Sequence, residues 1–321
     1  MFLGIEIGGT KLQLGISHGR EARLVALQRL EVVPADGAEG IRRQIADSGL
    51  ALLKQFPVSR IGIGFGGPVL ASAGRTITSH QIPGWKDFPL ADWCHRTLGL
   101  PTVIGNDCDV AALAESAYGA GQGHRVVFYI TVGTGVGGGC VVDGRLIGDS
   151  QPAIAEIGHL RPGLTAVTPD DTVESRVSGW GIARAARQML ATYTAPLSPD
   201  EVAGAEDLLA RCDHDPAQLT ALAIGQAAQA GNPLAGRVLN SAVETLGWAI
   251  AQMITLLAPH VVVVGGGVPQ LGDALFFTPL RHSVRRYVFT PLLDTYEIVP
   301  AALGEQVVVH GAVALAAIPS S

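Results

Sequence analysis

The residues with the plainest chemistry stand at Gly8-Gly9-Thr10-Lys11, where an apolar run opening at Met1 meets a glycine turn and passes straight into a second run. Backbone N–H groups, a hydroxyl and an ammonium gathered on one turn suit a phosphate oxyanion. Glycines are expected there because they reach φ > 0 and let the backbone come close to the anion. In a Walker-type loop or a dinucleotide fold the glycines lead into a helix. Here Leu12, Leu14 and Ile16 alternate with Lys11, Gln13 and Gly15, the two-residue period of a strand, so the turn closes a β-hairpin. A lone Gly-Gly turn between strands is more often a plain hairpin; recurrence is what carries the phosphate reading. Val126 to Leu146 repeats the design, with Gly133-Thr134-Gly135, then Gly137-Gly138-Gly139, then a strand closed by the hairpin signal Asp143-Gly144. A third turn, Gly265-Gly266-Gly267, follows the continuous apolar strand Val261 to Val264. Three unrelated turns are the plain alternative, but turns at strand ends of α/β sheets are where ligands collect.

Between the phosphate turns lies Asn106-Asp107, at the end of a short apolar strand. Asp107 or Asp109 could simply cap the helix that follows. With phosphate turns on both sides, a strand-end carboxylate is also placed to take the proton from a hydroxyl nucleophile, as phosphoryl transfer to an alcohol requires. Glu156 and His159 are spaced i, i+3, on one face of a helical turn, and suit vicinal sugar hydroxyls that need both acceptors and donors; a surface pair is the alternative. Glu174 alone reads as an ordinary exposed glutamate.

Short strands and helices alternate through the 321 residues, with no low-complexity region. Strands are expected at Ile61 to Phe65 and Thr102 to Ile104, and a helix at Val110 to Tyr118. Asp200 to Gly267 reads as helices followed by the Val261 strand. Two strand–glycine–strand units imply two related α/β halves, and the length exceeds what one core usually supports. The expected division is a small N-terminal lobe, residues 1–118, completed by a returning C-terminal helix in 302–321, and a larger lobe, 119–301. Gly119 to Gly123 is the expected hinge. The formal net charge of −6 and the lack of a basic block argue against nucleic acid as partner. Four cysteines without C-x-x-C spacing read as reduced thiols of a cytoplasmic protein. Glu6 breaks the first apolar stretch, and Pro259 with His260 breaks the most apolar segment, so no signal peptide or membrane span is expected.

In order, GIEIGGTK, GGPV, IPGWKDFPL, GNDCDVAALAE, YITVGTGVGGG, EIGHL and VVVVGGGV resemble the ROK family of sugar kinases and related repressors over nearly the whole chain. The resemblance implies the actin-like, ribonuclease-H-like fold, with ATP and sugar between two α/β lobes, and a homodimer. It implies Asp107 as general base and Asn106, Glu156, His159 and Glu174 as sugar ligands. Gly8, Gly9, Thr10, Lys11, Gly133, Thr134, Gly135, Gly137 and Gly138 would cradle the ATP phosphates with Mg²⁺, and Gly265, Gly266 and Gly267 would lie against the nucleoside. Glu6 stands where the family usually has aspartate, and would position magnesium directly or through water. After His159 the family typically carries a zinc loop with three cysteines. Leu160 to Val173 contains none, and without sulfur ligands a tetrahedral zinc site is not expected. The implied activity is ATP-dependent phosphorylation of a hexose, glucose at its 6-hydroxyl first. Two other readings are a sugar-binding pseudokinase and a sugar-responsive repressor. The repressor would need a helix-turn-helix ahead of the first strand, and the phosphate hairpin begins within ten residues of Met1.

Overall fold

The first glycine cluster closes a β-hairpin, in agreement with its alternation: Ile7 pairs with Leu12, and the Gly8 N–H donates to the Lys11 carbonyl at 3.0 Å. The computed structural model describes residues 1–79, 81–148, 151, 153–192 and 198–319, so the end of the expected return segment, 320–321, lies outside the described residues. Its elements run β1 (Phe2–Ile7), β2 (Lys11–Ser17), β3 (Ala26–Glu31), α1 (Gly37–Leu53), β4 (Arg60–Phe65), β5 (Val69–Leu70), β6 (Arg75–Thr76), α2 (Leu90–Leu98), β7 (Thr102–Asn106), α3 (Asp107–Tyr118), β8 (Val126–Val132), β9 (Val136–Val142) and β10 (Arg145–Leu146). They continue through α4 (Val173–Val177), α5 (Gly179–Thr192), α6 (Pro199–Ala210), α7 (Ala221–Gln229), α8 (Pro233–Leu257), β11 (Val261–Gly265), α9 (Thr278–Tyr287), β12 (Glu297–Pro300) and α10 (Val307–Ala317). The chain divides into two compact units. One comprises residues 1–129, 138–155 and 301–321, the other 130–137 and 156–300.

The first unit is built on the sheet β3-β2-β1-β4-β7, with β1, β4 and β7 parallel and β2 antiparallel to both its neighbours. One face carries Leu3, Ile5, Leu12, Leu14, Ile61 and Ile63, which pack with Ile41 and Ile45 of α1 and Leu90 and Cys94 of α2 in one buried cluster. The other face is nearly bare: Gly4 pairs with Gly15 and Gly62, and Gly64 pairs with Gly105. That glycine row lets α10 lie directly on the sheet, where a Cβ on Gly62 would overlap the Ala312 carbonyl. The helix is small and apolar enough to fit, with Val309, Ala312 and Val313 all buried.

Glu115, on α3 and fully buried, ties the approach to α10 in place. Its Oε1 accepts from Ala302 N at 3.0 Å and Leu303 N at 2.9 Å, and its Oε2 from Ala120 N at 2.8 Å. Hydrogen bonds to a charged acceptor contribute about 1.5–3 kcal/mol each, and they are not additive. Glu115→Ala is therefore expected to lower the unfolding free energy by about 3 kcal/mol in urea titration. A loss below about 1 kcal/mol would show that the tie is not holding the segment.

The second sheet has the order β10-β9-β8-β11-β12. Between β9 and β10, Asp143 and Gly144 both have positive φ, 51° and 74°, as a two-residue type I′ hairpin demands. In the second unit α5, α6, α7 and α8 enclose a core of Ile182, Leu208, Ile224, Leu234, Val238 and Leu239. Asn232 caps α8, its Oδ1 accepting from Leu234 N and Ala235 N, and Pro233 follows at the first helical position. None of the four cysteines forms a disulfide; burial pushes the Cys94 and Cys140 thiols up to about 11, so they are poor nucleophiles. Among the described residues no helix is long and apolar enough to cross a membrane.

Candidate functional site

In the first unit the register of β7 delivers Asn106 and Asp107 to the strand end, and α3 begins at Asp107, earlier than the alanine-rich run suggests. The helix cap is neither of the two aspartates considered from sequence. It is Asn106, whose Oδ1 accepts from Cys108 N at 2.8 Å and Asp109 N at 3.4 Å while its Nδ2 donates to the Gly67 carbonyl at 3.0 Å. With the cap supplied by its neighbour, Asp107 starts the helix, one carboxylate oxygen accepting from Cys108 N at 2.9 Å. Its other oxygen and the Gly8 Cα both lie 3.7 Å from where a Cβ on Gly66 would stand. The carboxylate and the first glycine hairpin thus share one corner of the unit.

Glu6, Lys11 and Gln13 fill the same corner. Glu6 is buried, with Oε1 3.2 Å from Lys11 Nζ and Oε2 accepting from Gln13 Nε2 at 2.6 Å. Lys11 Nζ and Gln13 Nε2 each also donate to the Glu305 carbonyl at 3.2 Å. The turn itself departs from the sequence argument in one respect: neither Gly8 nor Gly9 has positive φ. A Cβ on Gly9 would meet the side-chain amide of exposed Gln81, the flexible end of a side chain that can move aside.

Burial raises the Glu6 pKa above its ordinary 4.5; Lys11 and Gln13 oppose the rise and the Asp107 charge adds to it. A carboxyl raised by folding contributes stability below its unfolded pKa and loses that contribution as pH rises through the folded value. Glu6→Gln removes this dependence. The stability of wild type relative to Glu6→Gln is expected to fall as pH rises above the ordinary carboxyl value of 4.5 in urea titrations, and a difference that grows with pH would reverse the assignment.

The second unit gathers Glu156, His159 and Glu174. Glu156 precedes the 3-10 turn Ile157–His159, and His159 N donates to the Glu156 carbonyl at 3.0 Å. The Glu156 pKa is raised chiefly by the protein packed around it, opposed by His159 and reinforced by the Glu174 charge, so the three groups share an electrostatic environment. Glu174 sits in the first turn of α4, which Thr172 and Ser175 close with a reciprocal capping box. Its Oε2 accepts from Val136 N at 2.8 Å, and a Cβ on Gly135 would stand 2.7 Å from that oxygen. This sugar-ligand candidate therefore also holds the second glycine turn. The segment Leu160 to Val173 is tied by Val173 N to the Leu160 carbonyl at 2.8 Å and by the Asp171–Arg176 ion pair at 2.6 Å. Among the described residues no group of three or more His, Cys, Asp or Glu is arranged to hold a metal.

The third glycine turn adjoins the second within this unit. Gly266 has φ of 100°, and a Cβ there would strike the Val132 backbone, so only glycine fits. Gly133, Thr134 and Gly267 line a cavity of about 770 Å³ together with Trp180, Arg187 and Gln226. Trp180 and Arg187 escaped the sequence reading. Their signal was the seven-residue spacing in Gly179 to Arg187, two turns apart on one helical face.

The chain matches the ROK family over residues 2–318 and belongs to it. Its fold is the two-lobed actin-like ATPase fold. It is 30% identical over 315 residues to a glucokinase of Halalkalibacterium halodurans, covering 97% of this chain and 93% of that one. A ROK glucokinase of Streptomyces griseus, solved with glucose and AMPPNP, is 30% identical, with a TM-score of 0.79 and 98% of both chains covered. A ROK hexokinase of Thermus thermophilus is 26% identical, with a TM-score of 0.78 over 98% of this chain and 97% of that one.

Proposed function

We propose that the protein is a hexose kinase that transfers the γ-phosphoryl group of ATP to a sugar hydroxyl, with the 6-hydroxyl of glucose as the leading acceptor. The observation that carries this reading is the juxtaposition of the Asp107 carboxylate with the Gly8 hairpin in one corner of the first unit. The glucose and ATP analogue bound to the Streptomyces griseus relative support the substrate pair.

Asp107 takes the proton of the attacking hydroxyl, whose oxygen forms the new bond to phosphorus while the bond to the ADP oxygen breaks. Lys11, the Gly9 and Thr10 N–H donors and the Gly133 to Gly138 turn stabilise the charge spread over the phosphoryl oxygens. Glu156, His159 and Glu174 hold and orient the sugar through its other hydroxyls, converting a bimolecular encounter into an oriented one. Glu6 and Asp107 are hard oxygen donors near the phosphate hairpin and fit a magnesium ion that keeps several of its waters. That ion, when bound, neutralises phosphate charge; Glu6 would hold it through its hydration shell.

The test is a coupled ADP-release assay with Mg-ATP over a panel of hexoses and N-acetylated amino sugars. Turnover with glucose as best substrate is the expected result. Turnover that prefers another sugar would correct the acceptor, and sugar binding without ADP release would replace the kinase with a pseudokinase. The same preparation is expected to hold no stoichiometric zinc by elemental analysis, and one tightly held zinc per chain would overturn the reading of the cysteine-free segment.

A further inference from the structure

Three polar side chains stand side by side on one face of the first sheet. Glu6 of β1 is opposite Gln13 of β2, and Gln13 is opposite Arg29 of β3, so the row crosses three strands on the face that carries the glycines and α10. Gln13 is 1% exposed, and its amide is held from three sides. Its Oε1 accepts from Arg29 Nε at 3.1 Å, and its Nε2 donates to Glu6 Oε2 at 2.6 Å and to the Glu305 carbonyl at 3.2 Å. A guanidinium offers only donors and a carbonyl only an acceptor, so one orientation of the amide satisfies all three partners.

The row ends at the phosphate hairpin. With Oε2 of Glu6 taken by Gln13, Oε1 is the oxygen that meets Lys11 Nζ, at 3.2 Å. Lys11 Nζ also donates to the Glu305 carbonyl at 3.2 Å, so the acceptor that steadies the Gln13 amide steadies the ammonium as well. An ammonium carries three donors. Glu6 and Glu305 engage two of them, which leaves the half-exposed Lys11 side chain one for a ligand at the hairpin. Stability alone does not call for such a row, because a buried carboxylate and amide carry a desolvation cost that apolar side chains of similar volume would avoid.

We propose that Gln13, turned by Arg29, is the positioning residue of the first hairpin: it fixes the Glu6 carboxylate, and through it the direction in which the Lys11 ammonium meets a phosphate group. This rests on the kinase reading for what that phosphate belongs to, and it adds two residues that act only through others. The backbone N–H groups of the turn are aimed by the strands themselves. The lysine is a point charge on a flexible four-carbon stem, so its aim has to be set by the groups it touches. Glutamate is flexible too, and a carboxylate held at one oxygen alone could still turn; the second anchor at Oε2 removes that freedom.

The experiment measures ATP affinity by calorimetry in EDTA, where no metal takes part, and steady-state kinetics with Mg-ATP and the best hexose, on the intact protein. Gln13→Met keeps the length of the side chain and removes its hydrogen bonds. It is expected to weaken ATP about fivefold or more and to lower kcat about tenfold or more, with the hexose KM within about twofold, because a displaced ammonium is felt at the phosphate and not at the sugar. Arg29→Met, at an exposed position, should give the same pattern at about threefold, since it only releases the amide. In a Glu6→Ala background neither substitution should change ATP affinity or kcat by more than about twofold, because the carboxylate they act through is gone. Melting temperatures report whether the variants fold, and Arg29→Met carries the test if Gln13→Met does not. ATP affinity and kcat within about twofold of wild type in both variants would overturn the proposal, whatever the melting temperatures do. So would a hexose KM that rises as much as ATP weakens, or effects undiminished in the Glu6→Ala background. ATP weakened by both substitutions in a protein that phosphorylates no sugar would refute the kinase reading and leave this one standing. Sugar phosphorylation with ATP indifferent to Gln13 and Arg29 would do the reverse.

Discussion

Asp107→Asn is expected to lower kcat by about 10²-fold or more while leaving the hexose KM within a few-fold, the usual scale for removing a positioned general base. The substitution is a mild one structurally. Asn106 already caps α3, and an asparagine at 107 can still accept from Cys108 N through its amide oxygen. A fall in kcat with unchanged melting temperature therefore isolates proton transfer. A variant with near wild-type kcat would make Asp107 a helix-terminal carboxylate with no part in the chemistry, and the base would have to be sought elsewhere.

Glu174→Ala is expected to have the second largest effect, because one carboxylate serves two purposes. It is a candidate sugar ligand, and its Oε2 holds Val136 N at the end of the Gly133 to Gly135 turn. Losing a hydrogen bond to a charged acceptor costs about 1.5–3 kcal/mol, which corresponds to about 10- to 150-fold in kcat/KM. The alanine variant should lose that much towards the hexose and should also raise the KM for ATP several-fold, since the glycine turn is no longer fixed. Glu174→Gln separates the two purposes. Its amide oxygen can still accept from Val136 N, so the KM for ATP should return towards wild type while much of the hexose defect remains. Steady-state kinetics with each substrate varied in turn provide the check; a kcat/KM for hexose within twofold of wild type in the alanine variant would remove Glu174 from the site.

The sequence by itself determined what depends on near neighbours. Strict alternation from Lys11 to Ile16 has only one reading, a strand, so the first glycine cluster had to be a hairpin, and it is. Asp143-Gly144 specifies its turn because both residues tolerate positive φ. The ordered motifs sufficed for the family and its fold, and the absence of cysteine between Leu160 and Val173 is a fact of composition.

Only the tertiary structure decided which polar groups are taken up by distant backbone. Asn106, Asp107 and Asp109 are all good caps in isolation, and the choice of Asn106 depends on the Gly67 carbonyl, 39 residues away, which holds its amide. Glu174 reaches a backbone N–H 38 residues earlier, and Glu115 reaches others 187 and 188 residues later. The glycines of β1 and β4 answer to a helix at the far end of the chain. Trp180 and Arg187 belong to a cavity whose other walls come from residues 133–134, 219–229 and 267–271. Periodicity and turn chemistry are local properties that a sequence displays directly. Hydrogen bonds and cavities between segments far apart in the chain exist only once the strands and helices have packed, because the chain's local preferences do not encode which distant donor meets which acceptor.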